Sequence, residues 1–249
     1  MEIRTALLPQ LAGDVSGAVC IVIDVLRATT VIATLFDRRC PRVYVAASHD
    51  LARAFARREG YVLCGETGGV RVPDFDYGNS PVEFAALDFS ERPVVLSTSN
   101  GTKAVAAVAS APRVLLGAAV NRKAVANAAW DAASELDTDI VVVCSGTDGA
   151  YTLEDATVAG LYVEALVARG GPWTMPALDD ASIAARRLWQ TEPNLLRGWM
   201  EGRHACHLAD HGFGDDVAHC AAIDTLGRVP LLCSKDRASY LASPVILVR

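Results

Sequence analysis

Three apolar runs in this chain each break off into a short polar turn and resume as an Ala-rich stretch. They occupy residues 19–32 (VCIVIDVLRATTVI), 94–108 (VVLSTSNGTKAVAAV) and 140–160 (IVVVCSGTDGAYTLEDATVAG). Each begins with consecutive β-branched and apolar residues rather than an alternation, the pattern of a strand covered on both faces. Covered strands followed by helices build α/β sheets, and the turns after the strands gather at the carboxyl edge, where such sheets bind ligands. The three turns offer Asp24, Arg27, Thr29, Thr30, Ser97, Thr98, Ser99, Asn100, Thr102, Ser145, Thr147 and Glu154. Carboxylates, hydroxyls, an amide and a guanidinium suit a phosphate with a divalent metal better than an apolar ligand.

With 249 residues there is room for one large α/β domain. We expect a three-layer α/β/α fold with a largely parallel or mixed sheet, one domain over 1–249, and a subdomain boundary near 172. The recurring strand–turn–helix unit suggests an internal duplication. The net charge of −6 argues against a general binder of nucleic acid or anionic membrane. No apolar run approaches the ~20 residues of a membrane span, and the first residues lack a signal-peptide pattern, so a cytoplasmic protein is expected. It is expected to act alone or as a homodimer. The seven cysteines are odd in number and form no CxxC pair. Cys20, Cys64, Cys144 and Cys233 lie in apolar runs and read as reduced core residues.

The pattern predicts an edge strand within 1–18, strands at 42–46 and 61–64, and a long Gly/Pro-rich loop over 65–81. Helices are expected over 28–36, 51–58 (capped by Ser48 or Asp50), 102–109, 122–134, 153–169 and from Asp179–Asp180 and Ser182 towards Gln190. Helical pieces follow within 194–211. Short strands are expected at 218–222, 229–232 and 245–248.

Asp24 ends a wholly apolar strand, where a carboxylate is costly unless a cation or hydrogen-bond donors face it. It reads as a metal ligand or as a nucleophile towards phosphorus; a helix N-cap or an ion pair to Arg27 would also account for it. Arg27 can grip phosphate or carboxylate oxygens through paired donors. The Ser97–Lys103 turn (STSNGTK) precedes a helix, and Gly101 lets its backbone approach an anion closely; ordinary helix capping by Ser99 or Asn100 is the alternative. It lacks the first glycine and the spacing of a Walker A loop. Ser145, Gly146 and Thr147 repeat this chemistry. Thr152 and Asp155 read as a capping box with Asp for Glu, which leaves Glu154 as the candidate metal ligand. Glu66 could join the carboxylates, and Asp76 and Asn79 either reach a ligand or form turns. His204, His207 and His211 would share a helix face, yet no CxxC accompanies them, and a catalytic zinc is not expected. GxSxG, HExxH and GxGxxG are absent, which removes the sequence support for those chemistries.

These motifs together resemble a known family. IDVLRATTVI, CGE, FDYGNSP, STSNGT, CSGTDGAYTLEDATVAG and GDDVAHCAAIDTLGRVP are similar, in this order and over nearly the whole chain, to the 2-phosphosulfolactate phosphatases of ComB type. The resemblance implies a Mg²⁺-dependent phosphatase that converts 2-phospho-3-sulfolactate to sulfolactate and phosphate, on the route towards coenzyme M. It also implies that Asp24, Glu154 and Glu66 hold Mg²⁺. Arg27, Asn100, Gly101, Thr102, Ser145, Gly146 and Thr147 would then hold the phosphate and the second anionic group of a small substrate; from their places in the turns, Thr29 and Asn79 are also expected to bind it.

Overall fold

The computed structural model describes residues 1–171, 174–233 and 245–249, and of residues 102 and 103 the backbone alone. The strands among them are β1 (Glu2–Ala6), β2 (Ala18–Ile23), β3 (Val43–Ala46), β4 (Val62–Thr67), β5 (Val70–Arg71), β6 (Val94–Ser97), β7 (Arg113–Gly117), β8 (Asp139–Cys144), β9 (Ala177–Leu178), β10 (Leu232–Cys233) and β11 (Val245–Val248). They form two sheets. The first has the order β7-β2-β8-β1-β9 and is parallel throughout, with Cys20 opposite Val141 and Ile3 opposite Ile140. The second has the order β10-β11-β3-β6-β4-β5. Its centre, β3-β6-β4, is parallel and its flanks are antiparallel.

Side-chain alternation along the strands explains the layering. Val19, Ile21 and Ile23 of β2 face one way, into a core shared with the helices Arg122–Leu136, Leu153–Gly170 and Asp180–Thr191 through Ala129, Tyr162 and Ala185. Cys20 and Val22 face the other way. They meet Val31, Ile32 and Leu35 of the helix Ala28–Asp37 and Val105 of Gly101–Ala107, with Val43, Val45 and Leu96 of the second sheet beyond. The opposite face of that sheet, Tyr44, Ala46, Leu63 and Val95, is covered by Phe55 of the helix His49–Glu59. The protein is thus of α/β/α type around its parallel sheet, and a second mixed sheet continues the stack. Each fully buried Val or Ile adds roughly 1.5–3 kcal/mol by transfer from water, which makes these β-branched strands the main source of cohesion.

Local signals set the helix ends. The Ser48 hydroxyl accepts a hydrogen bond from the Leu51 amide (3.3 Å), and the Asp179 carboxylate from the Ser182 amide (2.8 Å), each satisfying a first-turn donor.

Four expectations are corrected. β1 is not an edge strand, because β9 pairs along its outer side. The loop over 65–81 begins as strand: β4 runs on to Thr67 and folds back as a hairpin onto β5, with Glu66 opposite Arg71. Residues 214–220 form a helix, Gly214–Cys220, not a strand. Its Val217 and Cys220 are buried three positions apart, a helical spacing that outweighs the short apolar run. Of the strand expected at 229–232, Leu231 makes an isolated bridge to Leu115 and only Leu232 falls in a strand.

Candidate active site

Four strand ends open into one cleft of about 770 Å³. Asp24 follows β2, Glu66 lies near the end of β4, Thr98, Ser99 and Asn100 follow β6, and Thr147 follows β8. All of these border the cleft, together with Arg27, Asn79, Glu154 and His204.

Asp24 is 7% exposed. Its Oδ1 accepts a hydrogen bond from the Ala28 amide at 3.3 Å. A Cβ on Gly101 would stand 2.8 Å from its Oδ2, so only glycine lets the next turn press this closely against the carboxylate. Thr29 secures the turn itself: its hydroxyl donates to the Asp24 carbonyl (2.9 Å) and accepts from the Asp24 amide (3.3 Å). Arg27 is buried and pairs with Asp216 at 2.6 Å, not with Asp24. Its second terminal nitrogen donates to the Gly69 carbonyl at 2.5 Å, and its guanidinium lies 4.3 Å from the centre of the Phe213 ring. Asp216 is fixed in turn by the Ser80 hydroxyl (2.6 Å) and the Val82 amide (3.4 Å).

Two carboxylates tie the turns to each other. Glu66 accepts from the amides of Gly69 and Ser99, each at 2.8 Å. Asp155 accepts from the amides of Val25 (2.9 Å) and Gly146 (3.0 Å). That corrects the capping-box reading, since Thr152 makes no side-chain cap and Asp155 instead joins the turns after β2 and β8. The Asn100 Oδ1 accepts from the Asp148 amide (3.1 Å) rather than capping its own helix.

Negative charge accumulates here. Burial pushes the Asp24 carboxyl up to about 6, against the pull of His204 and the Ala28 amide and with a further push from Glu66. Asp155 is held well above the usual carboxylate range, by burial first and then by Asp24 and Glu154. Burial lowers the His204 imidazole, but its 2.7 Å contact with Glu154 and the charges of Glu154, Asp24 and Asp155 outweigh that and leave it raised. Crowded, desolvated carboxylates are what a bound cation relieves.

Of the residues singled out in the sequence, Asp24, Arg27, Glu66, Asn79, Asn100, Thr147 and Glu154 border one cavity. Thr29, Gly101, Ser145 and Gly146 stand behind that surface and shape the turns, and the Thr102 side chain lies outside the described residues. The buried Oδ1 of Asn79 and the Oγ of Ser145 have no hydrogen-bond partner among the described residues. With Asp24 and Glu154, the Asn79 amide oxygen makes a hard-oxygen donor set on the cleft wall, which fits Mg²⁺ better than a thiolate- or imidazole-seeking metal. No three His, Cys, Asp or Glu side chains among the described residues form a ready-made metal cluster. Mg²⁺ commonly uses one or two carboxylates and completes its shell with water and substrate phosphate. His204 and His207 both border the cleft, but His204 meets Glu154, whereas His207 packs against His211 with ring centres 4.1 Å apart and planes tilted by 44°. Asp216, Asp155 and His204 as a partner of Glu154 were not legible as site residues. Asp216 lies within the GDDVAHC motif, and that was the one available signal.

A profile of the family described as 2-phosphosulpholactate phosphatase matches residues 6–235. A Carboxydothermus hydrogenoformans protein named probable 2-phosphosulfolactate phosphatase is 35% identical over 233 residues, 92% of each chain. A Deinococcus radiodurans protein of the same name is 35% identical over 238 residues, 95% of each chain. One from Thermus thermophilus is 36% identical over 215 residues, 86% of this chain and 87% of its own. The match spans every strand end that opens into the cleft, and the chain belongs to the 2-phosphosulpholactate phosphatase family, phosphoric monoester hydrolases by description.

Proposed function

We propose that the protein is a Mg²⁺-dependent phosphatase of a small acid phosphorylated at its 2-hydroxyl, with 2-phospho-3-sulfolactate as substrate. The observation that carries this reading is the cleft itself, in which buried carboxylates and an arginine converge with the hydroxyl- and amide-bearing turns after β6 and β8. Asp24 and Glu154 would hold the metal, with the Asn79 amide oxygen beside them. Bound there, Mg²⁺ supplies charge neutralisation of the phosphoryl group and of the leaving oxygen. Arg27, oriented by Asp216 and Gly69, presents its remaining N–H donors to phosphate oxygens. Asn100 and the hydroxyls of Thr98 and Thr147 give further donors, and Glu66 keeps the Ser99 amide in place. Asp24 has one oxygen on the Ala28 amide and the other against Gly101. As a metal ligand with one oxygen already on the Ala28 amide, Asp24 is not the nucleophile in this reading, and water attacks phosphorus.

The test is phosphate release from 2-phospho-3-sulfolactate beside 2-phosphoglycerate and phospholactate, with and without EDTA. Release from the first, abolished by chelation and restored by Mg²⁺, is expected. A melting-temperature shift with phosphate and no release from any ester would instead identify a binding protein. With a substrate made chiral at phosphorus, a single turnover should invert its configuration; retention, or an Asp24 acyl phosphate trapped by borohydride, would make that residue the nucleophile.

A further inference from the structure

Positive charge in the cleft is almost all spent. Asp24, Glu66, Asp148, Glu154 and Glu201 border it. Of the arginines there, Arg27 is neutralised by Asp216 at 2.6 Å. His204 is engaged by Glu154 at 2.7 Å. Arg203 also borders the cleft, is exposed, and has no ion-pair or hydrogen-bond partner among the described residues. Burial grades across the cavity in the same sense. Arg27 and Glu154 are each 2% exposed and form its floor, while Arg203 stands at the rim, next in sequence to His204.

A phosphate seated on the floor leaves the rest of a small substrate pointing outward. A second strongly acidic group there would meet Asp148 and Glu201 and be repelled unless a cation answered it. A guanidinium suits the oxygens of a sulfonate or carboxylate, and at an exposed site it acts on binding more than on chemistry. We infer that Arg203 is the specificity-determining residue that receives the second acidic group of the substrate, so that the cleft takes phosphorylated small acids in preference to simple phosphate esters. This rests on the phosphatase reading only for the seat of the phosphate.

The test is equilibrium binding by calorimetry to the full chain in Mg²⁺, with 3-sulfolactate and inorganic phosphate as separate probes. Arg203→Ala is expected to raise the Kd for sulfolactate several-fold, about 3- to 10-fold, while leaving the phosphate Kd close to that of the parent. In turnover the loss should fall on KM rather than kcat. Sulfolactate binding that is undetectable in the parent, unchanged in Arg203→Ala, or weakened no more than phosphate binding would overturn the inference. Binding is read without turnover, so the two ideas fail separately: a protein that releases phosphate from no ester would sink the phosphatase reading, while the sulfolactate Kd would still decide the role of Arg203.

Discussion

Asp24 shows how one side chain can be costly to the fold while it borders the cleft. Its carboxyl is raised to about 6, so the folded protein favours the protonated form. The stabilisation from that proton is fully present below the unfolded value of about 4 and is lost as pH rises through about 6. His204, also raised, acts in the same direction. Metal-free protein should therefore melt at a higher temperature near pH 5 than near pH 7.5. Mg²⁺ should lift the higher-pH value most, and Asp24→Asn should flatten the profile. Under the proposed function the same substitution should lower Mg²⁺-saturated kcat by ~10²–10³-fold with little loss of melting temperature; a folded Asp24→Asn protein with parental kcat would remove Asp24 from the chemistry. Asp216 is the converse case. Its pair with Arg27 is buried on both sides, and Asp216→Ala strands a guanidinium, which should cost about 3–5 kcal/mol in urea denaturation. Arg39→Ala, which breaks an exposed pair with Asp88, should leave the midpoint unchanged. Sequence placed Asp24 at the cleft because a carboxylate ending an apolar strand asks for an explanation, whereas Glu154, which also borders it, was reached through a Thr152–Asp155 cap that the structure does not form. Asp216 and Asp155 escaped because their partners are 189 and 130 residues away, and no local pattern encodes such a pairing.

Helix packing decides where Glu154 stands. The helix Leu153–Gly170 lies so close to Asp180–Thr191 that a Cβ on Gly160 would stand 2.0 Å from the Ala185 carbonyl oxygen. A backbone atom cannot turn aside as a side chain can. Gly160→Ala should push the helices apart and destabilise the fold by about 1–3 kcal/mol or more, seen as a lower urea midpoint. An unchanged midpoint would show that the helices separate without cost. At this scale most of the molecule was legible. The unbroken β-branched runs gave β2, β6 and β8, and Ser48 and Asp179 marked the helices that they cap. The helix Gly214–Cys220 was not legible because AHCAAI is apolar enough for a strand, and its buried face became evident only once Val217 and Cys220 had neighbours to pack against.

The division of the strands between two sheets lies beyond any local pattern, since β3, β4 and β6 look as apolar as β2 and β8 and differ only in their partners. It makes the C-terminal strand consequential. β11 covers β3, pairing Ile246 with Val45 and Leu247 with Tyr44. Deleting residues 245–249 should expose that strand as an unpaired apolar edge, giving aggregates by size-exclusion chromatography, whereas a monodisperse truncated protein would count against this role. The division also bears on the cleft. Asp24 and Thr147 follow strands of the parallel sheet, while Glu66 and Asn100 belong to strand ends of the mixed one. A bound anion is therefore a staple between two bodies of backbone. Amides of β2 and β8 should gain the same protection from hydrogen exchange as those of β4 and β6 when it binds, close to 2.7 kcal/mol at a concentration about 100 times Kd, and the two sheets should then open as one unit.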